Sequence, residues 1–157
     1  MNVEIRIQPD DFSIAAEWDA LRSRTAGDIG AVASFVGLVR DRHQDSPVTG
    51  LYLEHYPGMT EDSIRAIVND AGNRWGLEDV VVLHRVGQLD PREQIVFVQV
   101  AAGHRAAAFA ACEFIMDYLK TDAVLWKRET AGDTERWLEA SGDDRKRVDQ
   151  WRAKESD

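Results

Sequence analysis

The sequence predicts an α+β fold of layered helices and strands, on three observations. Two strand, helix, strand passages occur; antiparallel hairpin-like strand pairs lie alongside them; and no repeat, low-complexity tract or Gly/Ser linker divides the 157 residues. That length suits one compact domain that buries roughly two-thirds of its unfolded surface without a disulfide or structural metal.

The elements follow in order. Val3, Ile5 and Ile7 alternate with Glu4 and Arg6 and read as a strand, and Phe12, Ala15, Trp18 and Leu21 then recur at helical spacing behind Asp11 as N-cap. Gly30 to Val39 is a small and β-branched strand ending at Arg40. The polar loop 41–47 leads to a second strand, Val48 to Tyr56, with Leu51 and Leu53 on one face. Pro57-Gly58 breaks that strand, and Thr60 reads as the cap of a helix with Glu61 and Asp62 in its first turn. Ile64, Ile67, Val68, Ala71 and Trp75 form the apolar stripe of this helix, and Gly76 ends it.

Val80 to Val86 and Gln94 to Ala101 are β-rich runs joined through Gly87 and Asp90-Pro91. After Gly103 a long helix spans His104 to Lys120, with Ala108, Ala111, Cys112, Ile115 and Leu119 on its apolar face and Phe109 and Met116 widening it. Ala123 to Trp126 is a short strand candidate, and Thr134 to Ala140 a weaker helix or turn carrying Trp137. From Ser141 to Asp157 the chain is almost wholly charged around Val148 and Trp151. This segment reads either as a frayed amphipathic helix or, preferentially, as a tail ordered by a partner, which leaves residues 1–140 as the domain.

Composition excludes several classes. With 28 acidic and 19 basic residues the net charge is −9, which opposes a general nucleic-acid binder and an RNA-binding sheet alike. Apolar runs such as Val80 to Leu83 and Ile95 to Val98 are too short to cross a bilayer, and the N-terminus has no basic start or apolar core of a secretory signal, so a cytoplasmic protein is expected. The single cysteine, Cys112, forbids an internal disulfide, fits a reducing compartment and reads as a small buried hydrophobe. His43, His55 and His84 lie on separate elements without ligand spacing, and neither a Gly-rich phosphate loop nor a serine elbow occurs. No metal, cofactor or nucleotide fold is therefore expected, and the five tryptophans read as core or interface anchors.

Three basic groups fall at the ends of predicted elements, where a rigid scaffold projects side chains into loops: Arg40, His104-Arg105 and Lys120. Gly103-His104-Arg105 at a helix N-terminus is a candidate anion seat, since free N–H groups and the helix dipole favour negative charge and arginine grips phosphate bidentately. The plainer alternatives are that Arg105 solvates the first turn, His104 caps it, and Lys120 complements the dipole at the other end. From Lys120 to Lys127 there is enough chain to leave the helix, turn and run one strand, so the two lysines can converge. If they share a pocket with Arg40 and Arg105, mutual repulsion lowers at least one lysine pKa and makes it usable as a general acid or base near neutrality.

Six blocks, in order, carry a resemblance spanning about Val3 to Ala140: Phe35-Val36-Gly37-Leu38-Val39-Arg40, Leu53-Glu54-His55-Tyr56-Pro57-Gly58-Met59, His84-Arg85-Val86-Gly87, Gly103-His104-Arg105, Phe114-Ile115-Met116-Asp117-Tyr118-Leu119-Lys120-Thr121 and Trp126-Lys127-Arg128-Glu129. On these the chain resembles the large, catalytic subunits of molybdopterin synthase. The resemblance implies an α/β hammerhead-type fold with an additional antiparallel β subdomain and a homodimer of large subunits within a heterotetramer. It also implies a small ubiquitin-like partner ending in Gly-Gly, whose C-terminal thiocarboxylate gives sulfur to cyclic pyranopterin monophosphate (precursor Z) to form molybdopterin. By the same resemblance Lys120 and Lys127 are catalytic, and Leu38, Val39, Arg40, His104, Arg105, Arg128 and Glu129 bind substrate. The chain departs from the family pattern at Val124 and Leu125, where Pro and Phe are common, and at Leu38, where lysine is frequent. A competing reading is a non-catalytic module that uses the basic pocket to bind an anionic metabolite or a partner's acidic tail.

Overall fold

The computed structural model describes residues 1–155. Its elements are β1 (Asn2–Gln8), α1 (Ile14–Arg24), β2 (Ala31–Leu38), β3 (Arg42–His43), β4 (Ser46–Pro47), β5 (Gly50–His55), α2 (Met59–Trp75), β6 (Leu77–Arg85), β7 (Gly87–Leu89), β8 (Gln94–Ala102), α3 (Arg105–Leu119), β9 (Leu125–Ala131), β10 (Thr134–Leu138) and α4 (Gly142–Ala153). One four-stranded sheet runs β1-β6-β8-β2, with β1 parallel to β6 and the other pairs antiparallel. A second, antiparallel sheet runs β10-β9-β5-β7, and β3 and β4 form a small hairpin. The mixed architecture agrees with the α+β expectation, and the second sheet is the additional antiparallel part.

Alternation along the strands sorts the core into layers. Val80, Val82, Val98 and Val100 face α2 and α3, whose Ile64, Val68, Ala71, Ala111 and Ile115 are fully buried against them. The opposite face of the sheet carries Val81, Leu83 and Phe97 under Phe12. There α1 is tied down by charge: Arg6 pairs with Glu17 at 2.6 Å, and Arg24 forks onto the fully buried Asp79 at 2.8 Å through two nitrogens. Asn2 also donates to Asp79 at 2.9 Å, so removing Arg24 strands a buried carboxylate at a cost of about 3–5 kcal/mol. A third core of Val39, Leu51, Leu53 and Leu89 underlies the second sheet.

Several local expectations change. Ser13, not Asp11, caps α1 by accepting from the Ala16 N–H at 3.2 Å, while Asp11 accepts from Phe12 N–H and Gln94, so Phe12 stays outside the helix. Gly58 is the N-cap of α2; Thr60 is wholly buried inside it, donating to the Val124 carbonyl at 2.6 Å and accepting from the Tyr56 N–H at 2.9 Å. On α3 the apolar stripe leans toward Phe114 and Tyr118, and Phe109 is exposed, because Trp75 and Trp151 stack edge-on against Phe114 at 5.3 and 5.5 Å. Trp18, Trp126 and Trp137 are exposed on this chain, so only Trp75 and Trp151 pack in its core.

The largest revision concerns the charged C-terminal segment. Residues 142–153 are not a tail awaiting a partner but α4, capped by Ser141 and docked on α3 through buried Val148 and Trp151. Trp151 Nε1 donates to Asp117 at 2.7 Å, and Arg147 Nε donates to the same carboxylate at 2.7 Å. Two apolar side chains and one shared carboxylate thus anchor a helix whose composition alone reads as solvent-exposed. Residues 134–138, expected as a helix or turn, are instead the strand β10, and β9 runs on to Ala131 to pair with it.

Candidate functional site

The chain leaves β8 at Ala102, turns through Gly103-His104, and returns as α3 across β8 and β2. The C-terminal end of α3 therefore meets the C-terminal end of β2, and Lys120 and Arg40 come to the same end of the layer. Lys120 is the C-cap residue of α3. The turn after it is pinned to α2, with Val124 N–H donating to Ser63 at 3.2 Å and Thr60 donating to the Val124 carbonyl. That pinned turn feeds β9, on which Lys127 pairs opposite Leu53.

Lys127 is half-buried, and burial lowers its pKa, with the Lys120 charge acting in the same direction and Asp144 opposing it. The two lysines thus share one electrostatic environment, as their spacing predicts. His84 is buried near Lys127; burial first, then Lys127 and His55, push its pKa down to about 4, so its ring is neutral near pH 7. Its Nδ1 lies 2.8 Å from the Arg85 carbonyl, which can only accept, so this nitrogen carries the proton.

The other candidates divide. Leu38 and Arg40 are exposed, whereas the Val39 side chain sits in the core and its backbone bonds Glu93 and Arg92, so Val39 orients its neighbours rather than offering a contact of its own. Strand alternation puts Arg128 on the face opposite Lys127 and Glu129. Arg128 stacks over Tyr52 and Trp137, with its guanidinium carbon 4.9 and 5.5 Å from the ring centres. Glu129 is buried and engaged by Arg136 at 3.2 Å and His43 at 3.7 Å. His104 and Arg105 are exposed at the N-terminus of α3, where His104 makes no capping bond with its side chain. A helix of 15 residues is about 22 Å long, so within one chain these two residues cannot reach the lysine end. They sit instead beside Gly30, where an added Cβ would meet the Gly103 carbonyl oxygen at 2.3 Å; glycine permits that approach.

A groove of about 460 Å³ runs along α3 from Phe35 past Cys112 and Met116 to Lys120, Asp144 and Arg147. Burial, with a smaller contribution from Glu113, raises the Cys112 pKa to about 11, so the thiol is protonated and a poor nucleophile near neutrality. Among the described residues no cluster of His, Cys, Asp and Glu is placed to hold a metal ion. Asp144 escaped the sequence reading because it lay in the supposed tail, although Ser141-Gly142-Asp143-Asp144 has the spacing of a capping box that would have signalled a helix start.

Two lysines of unequal exposure beside a partly apolar groove are an arrangement that can stabilise or transfer charge on an anion, and the one thiol, Cys112, is held protonated. The comparisons agree with that class. The profile of the family described as MoaE protein matches residues 7–122. The chain is 52% identical over 147 residues to the molybdopterin synthase catalytic subunit of Ralstonia nicotianae, covering 94% of this chain and 83% of that protein. It is 46% identical over 148 residues to the subunit of the same name from Escherichia coli K12, covering 94% and 97%. The solved structure of the molybdopterin biosynthesis MoaE protein from Burkholderia ambifaria superposes with a TM-score of 0.80 at 53% identity, covering 96% of this chain and 98% of that one. The chain belongs to the MoaE family, whose curated relatives are enzymes.

Proposed function

We propose that this chain is the catalytic subunit of a molybdopterin synthase. It takes sulfur from the C-terminal Gly-Gly thiocarboxylate of a small ubiquitin-like partner and transfers it to cyclic pyranopterin monophosphate, forming the dithiolene of molybdopterin. The observation that carries this reading is the convergence of Lys120 and Lys127 in a chain whose only cysteine is buried and protonated. Such a chain must receive sulfur activated elsewhere, and an acyl thiocarboxylate is sulfur in that form. The thiocarboxylate sulfur bonds to a side-chain carbon of the pterin, whose oxygen leaves protonated, and gives a thioester. Water then splits the acyl–sulfur bond, leaving a carboxylate on the partner and a thiolate on the pterin, and a lysine ammonium stabilises the negative charge that grows on the acyl oxygen. Lys127, with its lowered pKa, suits proton transfer; Lys120, more exposed, suits charge stabilisation.

Arg40 would hold the substrate phosphate from the same end of the layer. His104 and Arg105 fit the substrate only if a second copy of the chain brings them across, which supports a homodimer with a small subunit on each protomer, a heterotetramer. Leu38, exposed at the end of β2, would contact the substrate, while Arg128 and Glu129 brace β9 around Lys127 through the stacking and ion pairs described above. A cytoplasmic setting is supported by the lone thiol, which suits a reducing compartment; no helix among the described residues is long and apolar enough to cross a membrane.

The test is to incubate the purified chain with thiocarboxylated small subunit and cyclic pyranopterin monophosphate and quantify dithiolene product. Product is expected only in the full mixture. Binding of the pterin without product would replace the enzyme by an anionic-metabolite binding module.

A further inference from the structure

The C-terminal helix brings to the paired lysines a carboxylate outside the six family blocks. Its attachment point is Asp117, one helical turn before Lys120, which accepts from both Trp151 and Arg147. Arg147 also bonds Glu113. Anchored there, the first turn of α4 lies beside Lys120. The capping box fixes Asp144 within it: the Asp144 N–H donates to Ser141 Oγ at 3.0 Å, and Asp144 Oδ2 accepts from the Ser141 N–H at 3.1 Å. The other oxygen, Oδ1, stands 3.9 Å from Lys120 Nζ, and both residues line the same groove.

We propose that Asp144 is a positioning residue of this site, a carboxylate that holds the Lys120 ammonium at the groove edge and lets two like-charged lysines occupy one pocket. The proposal rests on the paired-lysine reading of the function. At 3.9 Å the contact is between charges rather than a hydrogen bond, so Lys120 keeps all three of its N–H donors for a substrate. The other acids nearby are engaged: Asp117 by Arg147 and Trp151, Glu113 by Arg147, and Asp122 by Arg152 at 3.4 Å. The cations of the same neighbourhood are Lys127 on β9 and Arg147 on α4. Burial opposes ionisation of Asp144, yet its bonds with Ser141, together with Lys120 and Lys127, outweigh burial and hold its carboxyl below the ordinary value. The groove edge therefore carries a fixed negative charge wherever the lysines are to act.

Three variants of the full chain separate charge from helix capping. Asp144→Asn removes the charge and leaves a side chain that can still accept from Ser141; Asp144→Glu keeps the charge in a capping-box residue; Ser141→Ala weakens the cap and keeps the charge. Docking of α4 is followed in each by the Trp151 indole N–H resonance. The first readout is an NMR titration of the lysine side chains in the isolated protein, where Asp144→Asn is expected to lower the Lys127 midpoint while Asp144→Glu and Ser141→Ala stay near the parent. The second is the pH profile of sulfur transfer in the complex with the small subunit, where Asp144→Asn is expected to lower turnover at neutral pH about five-fold, equivalent to about 1 kcal/mol, with Asp144→Glu restoring it. An unchanged Lys127 midpoint in Asp144→Asn, or the same change in Ser141→Ala, overturns the proposal and leaves Asp144 as a cap. Should the parent complex make no product, the sulfur-transfer reading fails, and the lysine titration still decides the place of Asp144.

Discussion

The two ends of α3 both present cations, and they do so in opposite ways. At the C-terminal end Lys120 is met by Lys127 and Asp144, with the buried His84 near Lys127, all held by strands and a capped helix. At the N-terminal end His104 and Arg105 stand exposed beside the first helix N–H groups. One end gathers charged groups from several elements, and the other stands open to solvent. Neighbouring charges set what a cation can do, whereas a cation open to solvent is left free for another molecule.

The sharpest way to break this comparison is to remove the cation at the C-terminal end. Lys120→Ala is expected to reduce turnover by about 10²–10⁴-fold, the usual worth of a positioned acid, base or charge, while circular dichroism and small-subunit binding stay at parent levels. Parent-like turnover would remove Lys120 from the mechanism. Next in size is a stability effect of the burial near this end. His84 has a folded pKa of about 4 against an ordinary 6.5, so stability is full above pH 6.5 and is lost as pH falls toward 4, by up to about 3 kcal/mol. Denaturant midpoints measured across that range should fall, and a His84→Gln variant should flatten the slope over it.

At the open end a smaller effect of another kind is expected. Arg105→Ala should raise the KM for the pterin about ten-fold, the scale of one charge-assisted hydrogen bond, with kcat little changed. Mixed dimers of Lys120→Ala and Arg105→Ala chains, assayed at limiting pterin, should regain product because one of their two pockets is then intact. Failure to complement would mean that the two residues do not meet across a dimer interface. Smallest is Cys112→Ser, which should leave the sulfur-transfer rate unchanged and cost about 1 kcal/mol of stability through a buried hydroxyl, read by denaturant titration. Loss of rate in the folded variant would restore a thiol mechanism.

Periodicity made the central layers legible. Alternation at Val3, Ile5 and Ile7, the stripe from Ile64 to Trp75, and the runs around Val82 and Val98 all concern residues whose burial dominates their energy. The misses share one cause, which is that tertiary partners decided the outcome. Trp151 and Asp117 lie 34 residues apart and jointly order α4, and β10 exists because Glu129 and Arg128 offer it a paired edge. In the site, the spacing from Lys120 to Lys127 announced their convergence. What spacing did not announce was the division of the remaining residues: Val39 turned into the core, Arg128 turned to the far face of β9, and the length of α3 set His104 and Arg105 apart from the lysines.

The parallel pairing of β1 with β6 bears on how the molecule is assembled. Asn2 bonds Asp79 across a separation of 77 residues, so pairing of the first strand closes a long loop. Contacts of such long range slow folding, because the entropy of closing the loop is lost before the pairing returns it. While it waits, β1 is an unpaired strand with Val3, Ile5 and Ile7 bare, the kind of segment that recruits a neighbour and aggregates. Glu4 and Arg6 between them act as gatekeepers in that interval, so the same alternation that reveals the strand also protects it before it is folded.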